Sequence, residues 1–89
     1  MAAIQITPYE TITKIYSQSG QTDALANSLI FLNTGSVPVV IDGIVLQPSQ
    51  SFSILGNYGE VNTKVYTFNF KGLAAKELTV IYKRYISAK

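Results

Sequence analysis

Val39-Val40-Ile41-Asp42-Gly43-Ile44-Val45-Leu46-Gln47-Pro48-Ser49-Gln50-Ser51-Phe52-Ser53-Ile54 turns twice in sixteen residues and carries a single charge. Asp42-Gly43 stands between β-branched runs. A two-residue type I′ hairpin needs positive φ at both central positions, which Asp tolerates and Gly prefers. The spacing predicts a hairpin, with strands over residues 37–41 and 44–46. Pro48 is pre-set for the second position of another turn over residues 47–50, and type I geometry there accepts Ser49. From Ser51 to Leu55 small polar and large apolar residues alternate, so one face of that strand is buried.

The same grammar extends outward. Residues 28–33 are apolar on both faces and read as a central strand. Asn33-Thr34-Gly35-Ser36 reads as a turn, with Gly35 supplying positive φ. Pro38 suits a strand entry or an edge. Residues 56–60 form a loop. Residues 63–70 alternate, placing Tyr66, Phe68 and Phe70 on one face and Val65, Thr67 and Asn69 on the other. Residues 71–76 loop again, and residues 78–85 form a last strand with Leu78, Val80 and Tyr82 on one side. Upstream, residues 11–16 have β propensity. Residues 17–23 are polar and break that strand, and residues 24–26 allow a short helical turn that Asn27-Ser28 limits. About six or seven strands at this spacing, with turn signals between them, belong to an all-β sandwich or barrel. The expected fold is an antiparallel β-sandwich with an extended N-terminal segment. Residues 1–22 are read as an arm or an edge strand, and residues 23–89 as the sandwich domain.

Composition narrows the function. Eighty-nine residues make one domain with a thin stability margin. Small domains often add staples, but cysteine and histidine are both absent. Disulfides and Cys or His metal sites are therefore excluded, which leaves association with other chains as the open staple. The N-terminus has no basic n-region and no long apolar run, so no secretory signal is expected. No apolar run approaches the roughly 20 residues of a membrane span. The net charge of +2 is too small to argue for nucleic acid. Between residues 24 and 59 the sole charge is Asp42. A surface short of charge is poorly protected against association, unless Ser, Thr, Asn and Gln do the solvating.

Catalytic chemistry finds no constellation. The five acidic residues, Glu10, Asp23, Asp42, Glu60 and Glu77, are far apart in sequence. Without His or Cys the usual nucleophile–base arrangements are missing, and the plentiful Ser and Thr have no evident activating partner. Gly56-Asn57-Tyr58-Gly59 is followed by β-prone sequence where a phosphate loop would open a helix. No cofactor is implied. Phe31, Phe52, Phe68 and Phe70 fall in strand patterns and are expected in the core. Tyr9, Tyr16, Tyr58 and Tyr85 lie in less regular sequence, and tyrosine suits interfaces. Tyr82-Lys83-Arg84-Tyr85 mixes basic and aromatic residues, either as a strand with a solvated tail or as a contact with an acidic protein partner. The candidate contact residues are Tyr9, Tyr16, Lys83, Arg84 and Tyr85.

A linked set of motifs carries a resemblance. It runs from Asn33-Thr34-Gly35 through Asp42-Gly43, then Pro48-Ser49-Gln50-Ser51-Phe52, then Gly56-Asn57-Tyr58-Gly59-Glu60. Tyr66-Thr67-Phe68-Asn69-Phe70 and the apolar final strand complete it. Over roughly residues 30–83 the chain resembles small β proteins encoded by tailed bacteriophages, particularly those infecting Bacteroidetes. Such proteins usually carry Gly where this chain has Ser49. The resemblance implies a virion structural protein made in the bacterial host cytoplasm. Its most concrete form is an auxiliary or decoration protein on the capsid exterior. The implied partners are the major capsid protein and neighbouring virion proteins, with a homo-oligomer left open and no membrane. Two alternatives stand beside it. One is a receptor- or carbohydrate-binding module of a head fibre or tail, for which Asn57 and Tyr58 would be the binding pair. The other is a neck or tail structural protein of the same fold.

Overall fold

The computed structural model describes residues 9–57 and 59–85; the first eight residues, Tyr58 and the last four lie outside the described residues. The fold is all-β. Strands β1 (Tyr9–Tyr16), β2 (Gly20–Asp23), β3 (Ser28–Asn33), β4 (Val39–Ile41), β5 (Ile44–Leu46), β6 (Ser51–Ile54), β7 (Val65–Phe70) and β8 (Leu78–Tyr85) follow one another with no helix among the described residues. They form two antiparallel four-stranded sheets packed face to face. Sheet A has the order β1-β8-β3-β6 and sheet B the order β2-β7-β4-β5. The latest strands in sequence, β7 and β8, each lie between two neighbours. The expected arm or edge strand corresponds, from Tyr9 on, to two edge strands, β1 in sheet A and β2 in sheet B. The expected division after residue 22 falls within β2.

The core is the facing set of alternate residues. Leu29, Phe31, Leu78, Val80 and Tyr82 from sheet A meet Val39, Ile41, Leu46, Tyr66 and Phe68 from sheet B. Phe31 stacks on Phe52 at 5.1 Å and meets the edge of Tyr66 at 5.4 Å. Of the four phenylalanines expected in the core, Phe31 and Phe68 are buried, while Phe52 and Phe70 pack half-buried at its margin.

The Asp42-Gly43 hairpin is as read. Ile41 opposes Ile44, and both turn residues have positive φ, 46° and 86°. The Asp42 carboxylate also accepts the backbone N–H of Thr67 at 3.1 Å, tying the turn to β7. The second turn differs from its expectation. Gln50 N–H donates to Gln47 C=O at 3.0 Å, but Ser49 has φ 72°. That is a type II turn, which favours glycine at its third position. Gly35 differs as well. Its φ is not in the left-handed region; its need is space, since a Cβ there would meet Glu77 N at 2.5 Å and Ala75 O at 2.8 Å.

Residues 24–27 form no helical turn. Ala24 N–H donates to Lys64 C=O, Ala26 N–H to Asn62 C=O and Asn27 N–H to Lys83 C=O, and Leu25 takes φ 41° between them. The segment passes from one sheet to the other, using the buried Ala24 and Ala26 as its inward anchors. Small side chains let the backbone approach the core there, and backbone pairing outweighs helix propensity.

Two polar ties cross between the sheets. Buried Asn33, at the end of β3, donates from Nδ2 to Val37 C=O at 2.8 Å and to Leu46 C=O at 2.9 Å. Its Oδ1 accepts Gly35 N–H at 3.0 Å. On the β1–β2 side, the hydroxyl of Tyr82 in sheet A is hydrogen-bonded to that of Thr22 in sheet B, which also accepts from Tyr16 at 2.9 Å.

Replacing Asn33 with Ala removes two hydrogen bonds to carbonyls and one from the Gly35 N–H. We expect Asn33→Ala to cost about 2–4 kcal/mol, read as a lower urea midpoint with an unchanged slope. Ser49→Gly should have the opposite sign and stabilise by about 0.5–1 kcal/mol, because it removes the left-handed strain of a non-glycine residue.

Candidate association surface

Strand alternation fixes what faces outward from sheet A. β1 presents Tyr9, Thr11, Thr13 and Ile15. β8 presents Thr79, Ile81, Lys83 and Tyr85. β3 adds Ser28, Ile30 and Leu32, and β6 adds Ser51 and Ser53. Lys83 is the only charged residue among them. Ile81 lies directly opposite Ile30, while Thr79 lies between Ile15 and Leu32. The result is a continuous apolar and hydroxyl surface on a sheet whose other face is the core. The outer face of sheet B is broken by Asp23, Gln21 and Asn69, although Val40 and Val45 pair on it.

Three of the five predicted contact residues come together at one end of the sheet A face. Tyr9 and Tyr85 oppose each other with ring centroids 4.6 Å apart, and the Tyr9 hydroxyl donates to that of Tyr85 at 3.0 Å. Lys83 Nζ sits 4.2 Å from the centre of the Tyr9 ring. Gly59 N–H also donates to the Tyr85 hydroxyl, which ties the loop after β6 to this corner. A cation held over an aromatic face contributes about 0.5–1 kcal/mol at an exposed site. The one charge of the face is thereby parked on a ring.

The other two predicted residues turn inward. Tyr16, at the far end of β1, is half-buried against Phe68 at 4.9 Å and joins the hydroxyl cluster with Thr22 and Tyr82. Arg84 directs its guanidinium to Ala24 C=O at 3.2 Å and lies 4.7 Å from the centre of the Tyr82 ring. Both brace the sandwich. The parity of the strand accounts for the split, since Lys83 and Tyr85 share one face while Arg84 shares the other with Tyr82. Ile15, Ile30, Leu32 and Ile81 are the large aliphatic residues of this face, the first two exposed and the last two half-buried, and were not singled out from sequence. Their signal was present in residues 28–33, where a strand apolar on both faces has one apolar face left over after the core is built.

The binding pair of the carbohydrate reading falls partly outside the described residues, because it includes Tyr58. Beside that loop lies a cleft of about 390 Å³ lined by Asn27, Ile54, Leu55, Gly56, Glu60, Val61 and Asn62. Its central amide is already used. Asn27 Nδ2 donates to Asn57 C=O at 2.7 Å and to Glu60 C=O at 3.0 Å. The cleft wall is a loop fastened from within, with few polar groups left to orient a ligand.

In the hydroxyl cluster the side-chain oxygens of Tyr16, Thr22 and Tyr82 converge inside the fold. Burial is the largest influence on Tyr82 and pushes its pKa from 10.0 to about 12. The Tyr16 hydroxyl pushes the same way, while the Thr22 hydrogen bond and the Arg84 charge pull against it. The phenol therefore keeps its proton to well above its ordinary range. No group of three or more acidic side chains is placed to hold a metal among the described residues.

No protein-family model, curated protein or solved structure matches the chain.

Because the folded state holds the Tyr82 proton more tightly than the unfolded state, its contribution is fully present below pH 10 and declines as pH rises toward about 12. Chemical denaturation across that window should show the wild type losing stability relative to Tyr82→Phe. Parallel pH profiles for the two proteins would contradict this account.

Proposed function

We propose that the chain is a non-enzymatic structural subunit of a phage-type virion, an auxiliary protein that lies against the major capsid protein on the capsid exterior. The observation that carries this reading is the outer face of sheet A. It offers Ile15, Ile30, Leu32 and Ile81 among hydroxyl side chains, and its single charge is held over Tyr9. A lone soluble domain usually keeps such a face dotted with mixed charge. Apolar side chains on a rigid sheet, rimmed by tyrosine, suit a dry contact with another protein. Many copies on a shell would let individually modest contacts add. The motif resemblance over residues 30–83 points in the same direction.

The reading is tested in two steps. Quantitative mass spectrometry of purified particles from the source should find this chain at hundreds of copies per particle, in a fixed ratio to the major shell protein, as expected of a lattice-bound subunit. Its absence from particles would end the proposal. Shells depleted of the chain should then rebind purified wild type, while Ile30→Glu with Ile81→Lys should bind at least about tenfold more weakly. Those two positions oppose each other, so the paired opposite charges keep the strands together while removing the apolar contact.

A further inference from the structure

We propose that two copies of the chain pair through the free edge of β1, antiparallel about a two-fold axis at Ile12, joining their A sheets into one continuous sheet. The four edge strands of the sandwich are unequal. β2 and β6 run four residues and β5 three, whereas β1 runs eight. Short edges resist pairing with other chains, and a long one offers a row of backbone donors and acceptors. Among the described residues, those groups from Glu10 to Tyr16 are paired to β8 on one side only.

The register follows from backbone parity and charge. Residues opposite each other in an antiparallel pair either both aim their N–H and C=O groups at the partner strand or both aim them away, so a self-paired strand must place its axis at a residue. Glu10 and Lys14 are the only charged residues of β1, both exposed and on the same side of the strand. With the axis at Ile12, Glu10 of each copy lies opposite Lys14 of the other, Thr11 lies opposite Thr13, and Ile12 meets its own copy. On the outer face, Ile15 then meets Tyr9, a favourable apolar–aromatic cross-strand pair. With the axis at Thr13, Glu10 would oppose Tyr16 and Lys14 would oppose Ile12, so the partner strand would offer neither charge a counter-charge.

Charges near the inward side of an edge strand usually block pairing. Here the two charges cancel in one register and obstruct the others, so the guard admits a second copy of the same strand and discriminates against the rest. Neither charge forms an ion pair among the described residues, although Glu10 stands opposite Arg84 in β8 and Lys14 lies over an aromatic ring. The ion pair found among the described residues is Lys64 with Asp42, and Lys14 Nζ stands 5.4 Å from the Tyr82 ring. This inference does not rest on the capsid reading, because it concerns the sheet edge and not the outer face.

The test is sedimentation equilibrium on the full chain and two charge reversals, Glu10→Lys and Lys14→Glu. The wild type should be a dimer that weakens with salt. Each reversal alone places like charges opposite each other twice and should weaken the dimer by about tenfold or more. An equimolar mixture of the two variants should recover dimer, since every opposed pair in the mixed species is complementary. Loss of fold cannot produce recovery on mixing. A monomeric wild type, or a dimer indifferent to the reversals, would overturn the proposal. Should either reversal fail to fold, cysteine scanning decides. The chain has no cysteine of its own. Thr11→Cys mixed with Thr13→Cys should then yield a disulfide-linked pair under mild oxidation, and absence of that pair would refute the register.

Discussion

Two sheets that meet only through apolar side chains can slide, because burial has no direction of its own. The amide of Asn33 removes that freedom. It stands in sheet A and donates to the backbone just before β4 and at the end of β5, so it fixes where sheet B must lie. The chain has no disulfide to do this, and its core is small. Satisfied buried polar groups are costly to disrupt and therefore specify one arrangement over its near neighbours. The hydroxyls of Thr22, Tyr16 and Tyr82 do the same work on the β1–β2 side. Between these two ties the aromatic residues Phe31, Tyr66 and Phe68 fill the space that the ties define.

Much of this was legible in the residues. Asp42-Gly43 announced its hairpin through backbone conformation alone, and the period-two pattern of residues 65–70 announced which aromatics face inward. Local signals of that kind need no partner to be read. The parts that were not legible depend on contacts distant in sequence. Gly20–Asp23 has little β propensity and became a strand because β7 offers it a ladder, with Thr22 as its buried residue. Gly35 looked like a turn glycine and is one required by the close passage of residues 75–77. Ser49 took a conformation that a type I reading did not require. Tyr16 and Arg84 looked like surface residues because their segments were read without a register, and register is what turns a strand residue in or out.

The sparse charge of the chain also acquires a location. Lys71, Lys76 and Glu77 sit in or beside the β7–β8 loop, and Asp42 and Lys64 pair beside the hairpin turn. The broad outer face of sheet A is left nearly neutral. Apart from Lys83, the charges that sheet A does carry, Glu10, Lys14 and Arg84, lie on the other side of their strands.

The position of β8 has a consequence for how the molecule comes into being. β8 pairs with β1 and β3 at once, so residues 9–16 have no sheet partner among the described residues until residues 78–85 have been synthesised. β7 has the same role for β2 and β4. Folding during translation must therefore wait, with two N-terminal strands exposed as the ribosome completes the strands between which the rest will assemble. Pairings this distant in sequence close slowly. A β1 segment with unsatisfied backbone on both sides is at its most aggregation-prone in that interval.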